Sequence, residues 1–209
     1  MADSKLAAPE LAAFEIHSMT RASFILRGAM TAGAVYGASA VAPFVSQAVA
    51  QGGGGDVDIL NFALTLEYLE TEFYTVKGKS VGLSGEAKSL AATIGDHEAQ
   101  HVQALTSAIK AAGGTPAAKP KFAFPVTGQA SFLKLAHTLE ETGVSAYNGA
   151  GPQLSNPQYL AAAGSIVQVE ARHAAAIALL IGKSPAPLAF DKPKSKAQVL
   201  AAAGPLIKK

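Results

Sequence analysis

The chain contains no cysteine. Disulfides, thiolate metal sites and thiol catalysis are therefore excluded, and any metal it binds must be held by carboxylate, imidazole and water. An excess of charge is missing too: 17 Lys and Arg stand against 15 Asp and Glu, a net charge of +2 over 209 residues. With the lysines scattered, no basic surface for nucleic acid is expected. What the chain has instead is apolar content, 49% of its residues, enough for the core of one domain of ordinary size plus an extension. This excludes a disordered chain.

The first fifty residues have a composition of their own. Thr20-Arg21-Ala22-Ser23-Phe24-Ile25-Leu26-Arg27 is basic, residues 28–50 are uncharged and rich in Ala, Val and Gly, and Ala48-Val49-Ala50 offers small residues where a signal peptidase reads them. The segment reads as a secretory signal cleaved after Ala50, which implies a periplasmic, cell-envelope or extracellular protein. Its Thr-Arg-x-x-Phe arrangement is similar to a twin-arginine signal, with Ala22 where the second arginine would stand. The alternative is an uncleaved membrane anchor, since at about 1.5 Å per residue the uncharged run is long enough to span. Pro43 and the many small residues suit a span poorly, so contact with a membrane is expected only if the segment is retained. Residues 51–55 form a Gly-rich linker, and residues 56–209 are expected to be the folded domain with a C-terminal tail.

Within that domain the chain repeats itself. Asp96-His97-Glu98-Ala99-Gln100-His101 and Glu170-Ala171-Arg172-His173 both contain Glu-x-x-His, and on a helix residues three apart share a face about one turn apart. Each pair can offer a carboxylate oxygen and an imidazole nitrogen to one point. Each is preceded by another glutamate: Glu67 in Thr65-Leu66-Glu67 and Glu140 in Thr138-Leu139-Glu140, followed seven residues later by Tyr74 and Tyr147. One Glu-x-x-His is weak evidence; a duplicated set is hard to explain as a solvated helix face.

Apolar periodicity predicts four long helices. The first runs over about residues 56–77 with Gly78 closing it, and turns Leu60, Ala63, Leu64, Glu67, Glu70, Thr71 and Tyr74 to one face. The second covers about 86–112 before Gly113-Gly114, the third about 131–150, and the fourth about 157–181, opened by Asn156-Pro157 and stopped by Gly182. Residues 115–128, with Pro116, Pro120 and Pro125, cannot be helical and read as a long crossover between two hairpins. Residues 196–203 are expected to form one short terminal helix. The fold class is thus all-α, a four-helix bundle of two antiparallel hairpins with a long crossover and a short C-terminal helix.

In such a bundle the four glutamates fall near the helix middles, in one layer. Four carboxylates left charged and unpaired inside an apolar bundle would cost several kcal/mol per ion. Two divalent cations balance them and leave the imidazoles neutral. A Glu from each of two helices and Glu-x-x-His from the other two is the pattern of dinuclear carboxylate bundles. The predicted metal ligands are Glu67, Glu98, His101, Glu140, Glu170 and His173, with Glu98 and Glu170 as bridges. Glu70 and Glu141 compete for a place in the set. His97, whose repeat mate is Val169, is expected not to be a ligand. His137 is expected to serve as a donor to a ligand or as a satisfied core histidine.

These motifs, Leu66-Glu67-Tyr68-Leu69-Glu70 with Phe73-Tyr74, Asp96-His97-Glu98-x-x-His101, Leu139-Glu140-x-x-Gly143-Val144-x-x-Tyr147 and Glu170-x-x-His173, resemble those of ferritin-like domain proteins. The likeness covers about residues 56–207 and is to the exported bacterial type grouped with desiccation-related proteins. It implies a dinuclear centre of iron, or second of manganese, because oxygen and nitrogen ligands with open positions suit these better than a closed zinc site. It also implies oxidoreductase or iron-handling chemistry, ferroxidase, peroxidase or catalase-like, with oxygen or peroxide as substrate. The alternative is a non-catalytic stress or envelope protein whose metal is structural. Homo-oligomerisation is left open.

Overall fold

The computed structural model describes residues 55–208. The expected signal segment and residues 51–54 lie outside them. Helix α1 spans Asp56–Glu72 and runs on through a π-helical turn, Phe73–Lys77, and one more helical turn, Gly78–Ser80. Three long helices follow: α2 (Gly85–Ala111), α3 (Gln129–Ala150) and α4 (Pro157–Leu180), with the short α5 (Lys196–Ala203) near the C-terminus. The bundle is mostly α1 against α2 and α3 against α4, two hairpins joined by lesser contacts of α1 with α3 and α2 with α4. The expected all-α architecture is what forms.

Local chemistry accounts for most of the boundaries. Asn156 Oδ1 accepts the Gln158 N–H at 2.8 Å, and Pro157 opens α4 with its φ already helical. Ser195 and Gln198 form a reciprocal capping box on α5. Gly113 and Gly182 follow α2 and α4 with φ of 76° and 70°, a conformation glycine adopts without a Cβ penalty. Gly78 does not close the first helix as expected. It is buried and helical, packed beside the Phe132 ring, and the helix runs through it rather than ending there. The chain turns instead at Gly82, φ 68°.

Asp56 has a longer reach than an acidic first-turn residue needs. Its two carboxylate oxygens accept the N–H groups of Ser155 and Asn156, each at 2.8 Å, so the start of α1 holds the turn before α4. The crossover between α2 and α3 is extended, and Asn61 on α1 staples it by accepting the Ala117 N–H and donating to the Thr115 carbonyl. It also contains a strand too short to be marked by apolar alternation: β1 (Lys121–Phe122) pairs antiparallel with β2 (Ile207–Lys208). The chain's end is thereby tied to its middle. Among the described residues no helix is long and apolar enough to cross a membrane.

The buried apolar side chains form two clusters. One gathers Tyr74, Ile94, Ala136 and Ile177 with the Phe73–Phe132 ring stack, whose centroids are 4.3 Å apart. The other gathers Leu60, Leu64, Leu105, Ile109, Tyr147 and Ile166. Burying side chains of this size contributes roughly 1.5–3 kcal/mol each. On the inward face of every long helix the two clusters are separated by acidic residues or histidines: Glu67 and Glu70 on α1, Glu98 and His101 on α2, Glu140 on α3, and Glu170 and His173 on α4. The core is two apolar blocks with a polar layer between them.

Candidate metal centre

All six predicted ligands are buried in that layer, and Glu67, Glu98, Glu140 and Glu170 have no solvent exposure at all. Each helix contributes by its spacing. Glu98 and His101, like Glu170 and His173, are one turn apart on α2 and α4, while Glu67 and Glu140 come from the facing α1 and α3.

The donors converge on two points. His101 Nδ1 lies 3.2 Å from Glu67 Oε2, 3.1 Å from Glu98 Oε2 and 3.0 Å from Glu170 Oε1. His173 Nδ1 lies 3.1 Å from Glu98 Oε1, 3.2 Å from Glu140 Oε2 and 3.7 Å from Glu170 Oε2. Two groups result, Glu67-Glu98-His101-Glu170 and Glu98-Glu140-Glu170-His173, each with its donor atoms within 4.8 Å of one another. Glu98 and Glu170 belong to both, and each turns one oxygen to either histidine.

Hydrogen bonding alone does not explain this arrangement. A single imidazole nitrogen carries at most one N–H, yet each Nδ1 faces three carboxylate oxygens. Glu98 Oε1 and both oxygens of Glu170 are buried with no hydrogen-bond partner of acceptable geometry, which is costly unless something else satisfies them. Donor atoms about 3 Å apart are the spacing expected along the edges of a coordination polyhedron with metal–ligand bonds of about 2.1 Å. The donor set therefore fits metal ions, and the buried Glu and His groups could hold them.

The electrostatics agree. Burial, reinforced by the neighbouring carboxylates, holds Glu67, Glu70 and Glu140 well above the usual carboxylate range. Burial also pushes Glu98 upward, but the hydrogen bond with His101 and the close approach of His173 outweigh it and bring that carboxyl down to about 2. Against the burial that would lower them, the surrounding carboxylates raise His101 to about 12 and His173 to about 11. Without metal, two imidazolium protons supply the positive charge that the carboxylates demand.

Two tyrosines complete the layer by crossing between hairpins. The Tyr147 hydroxyl, from α3, donates to Glu67 Oε1 on α1, and the Tyr74 hydroxyl, from the end of α1, donates to Glu140 Oε1 on α3. Each of these glutamates thus keeps its other oxygen turned to a histidine. The repeat pointed to both tyrosines; the crossing was not legible, because spacing along one helix says nothing of its partner.

Four further residues were left open by the sequence. Glu70 is buried, and its Oε1 lies where a Cβ at Gly143, its repeat mate, would come within 3.4 Å; the same Cβ would approach Glu170 Oε2 at 3.6 Å. It belongs to neither donor group but borders the one that contains Glu140. Glu141 is about half exposed, as a surface residue should be. His137 is only partly buried and lies 3.9 Å from Glu141 Oε1, away from the donor groups. It takes neither expected role, since it reaches no member of the donor groups and is not fully buried. His97 is half-buried, with Nδ1 2.9 Å from His173 Nε2.

Fold and site together define an antiparallel four-helix bundle with an interior carboxylate-histidine cluster able to bind metal. The model of the ferritin-like domain family matches residues 55–183, and the chain belongs to that family. The match spans α1 to α4 and ends before α5, short of the tail that the sequence likeness had included. No curated protein matches the chain.

Proposed function

We propose that Glu67, Glu98, His101, Glu140, Glu170 and His173 hold two divalent cations, iron first and manganese second, and that the protein is an exported oxidoreductase or iron-handling protein acting on oxygen or peroxide. One observation carries this reading: three carboxylate oxygens converge on one imidazole nitrogen, twice, with Glu98 and Glu170 shared. Glu67 and His101 would be the terminal ligands of one ion, and Glu140 and His173 those of the other. Two such ions would supply the electrons for reducing oxygen or peroxide.

The chain's own contribution is orientation and exclusion of water. Tyr147 and Tyr74 fix the terminal carboxylates from the opposite hairpin, and the apolar blocks on either side keep the layer dry, where charge interactions are stronger than in water. Export rests on the composition of residues 1–50, and predicts a mature chain beginning near Gln51. The test is elemental analysis of protein purified from its own host, followed by ferrous-iron and peroxide turnover. Two iron or manganese ions per chain with turnover would support the reading. The complete burial of the four glutamates favours a second one, in which the metal only stabilises the bundle. Bound metal with no turnover would select it, and a metal-free native protein would sink both.

A further inference from the structure

The two halves of the site are alike in ligands and unlike in what stands behind them. His97 precedes Glu98 on α2; at the same place in the repeat, before Glu170 on α4, the chain has Val169. The His97 ring lies nearly parallel to that of His173, at 17° with centroids 5.2 Å apart, and its Nδ1 is 2.9 Å from His173 Nε2. The other nitrogen of His173 is the one that faces Glu98, Glu140 and Glu170.

The two nitrogens of one imidazole constrain each other. For His173 to hold a cation through Nδ1, that nitrogen must present its lone pair, so the ring proton resides on Nε2 and needs an acceptor. His97 Nδ1 is at hydrogen-bond distance to accept it. A partner on the far side of a ligating imidazole fixes both tautomer and ring orientation and raises the basicity of the ligand. A valine cannot accept a proton, so the residue at the mate of His97 gives His101 no such support.

We propose that His97 is a positioning residue for one half of the metal centre: it accepts the His173 Nε2–H, fixes that ring with Nδ1 turned to the carboxylates, and makes the site of Glu98, Glu140, Glu170 and His173 the tighter of the two and the first to fill. The proposal rests on the metal-centre reading. It adds that the centre loads in order, although the ligand list is symmetric.

The test is a Co²⁺ titration of the metal-free protein, followed by calorimetry and by visible absorption of the bound ion, for wild type, His97→Val and His97→Asn. Wild type is expected to bind two ions in two resolvable steps. His97→Val should weaken the first step by about 10–100-fold, the usual effect of removing such a partner, leave the second step in place and alter the absorption of the first ion. His97→Asn, whose Oδ1 stands where Nδ1 stood and can accept the same hydrogen bond, should recover much of the loss, which a role in packing alone would not predict. Two unchanged steps in His97→Val, equal weakening of both, or an Asn variant as weak as the Val variant would each overturn the proposal and leave the metal centre standing. A wild type that binds no Co²⁺ would overturn the metal centre and this inference with it.

Discussion

At the scale of single residues, Glu67 and Glu141 make the sharpest contrast. Glu67 is fully buried, turns one oxygen to His101 and accepts from Tyr147 with the other, whereas Glu141 is about half exposed and meets only His137 at 3.9 Å. Glu67→Ala is expected to lose at least one bound metal, since it removes a donor and orphans a buried tyrosine hydroxyl. Glu141→Ala should stay within about 0.5 kcal/mol of wild-type stability. Metal content and urea denaturation of the two variants check this. Two metals surviving in Glu67→Ala, with loss in Glu70→Ala, would show that Glu70 is the true ligand of α1. The convergence of these six side chains was legible because residues on one helix face obey its period, and a duplicated period is rare by accident. Glu70 was not resolved by that logic. It lies on the same face as Glu67, and only the missing side chain of Gly143 on another helix shows where its carboxylate goes.

The elements were legible to within a few residues wherever the stop signals are local, as with Asn156-Pro157 and the glycines after α2 and α4. What was missed depends on contacts between distant segments. Phe62, Leu66, Leu69 and Phe73 are as buried as the predicted inward face of α1, because aromatic and tail residues such as Phe122, Val199 and Leu206 cover a second side of it. Periodicity read along one helix cannot anticipate a cover supplied by residues far along the chain. The tail that helps to provide that cover packs on α3 and comes especially close to it at Gly149. A Cβ on Gly149 would come within 2.0 Å of the Lys194 carbonyl oxygen, beside the bond from the Lys194 N–H to the Ser145 carbonyl at 2.9 Å. Gly149→Ala is therefore expected to destabilise the protein by about 1–3 kcal/mol and to expose the residues around α5 to protease. Unchanged denaturation and digestion would show that the tail can shift at no cost.

For the molecule as a whole, the polar layer sets the response to pH. Glu67, Glu70 and Glu140 are raised from 4.5, and His101 and His173 from 6.5 to about 12 and about 11, so all five hold protons more tightly folded than unfolded. Their stabilisation is complete below the unfolded values and is lost as pH rises through the folded ones. Glu98, lowered to about 2, acts oppositely and only as pH falls below 4.5. The chelated protein should therefore melt at a lower temperature at pH 9 than at pH 6. Adding metal must displace those protons, so it should release acid and bind more tightly as pH rises. A chelated protein that melts higher at pH 9 would contradict this.

The two hairpins also divide the site in a particular way. Each donor group takes three residues from one hairpin and a single glutamate, Glu98 or Glu170, from the other. A hairpin on its own is one carboxylate short of a complete group, and the crossover that joins the two contributes no donor. The backbone link thus adds nothing to the donor set itself, and two separate chains, each a single hairpin, would offer the same six donors by exchanging one glutamate apiece. A protein nicked in the crossover should remain a two-fragment complex while loaded with metal and come apart when a chelator is added. Fragments that part with the metal still bound, or that stay together when it is stripped, would show that the apolar blocks rather than the shared carboxylates govern their association. The repeat makes the two hairpins near-equivalent halves in their donors, with His97 against Val169 and Glu70 against Gly143 marking where the halves differ.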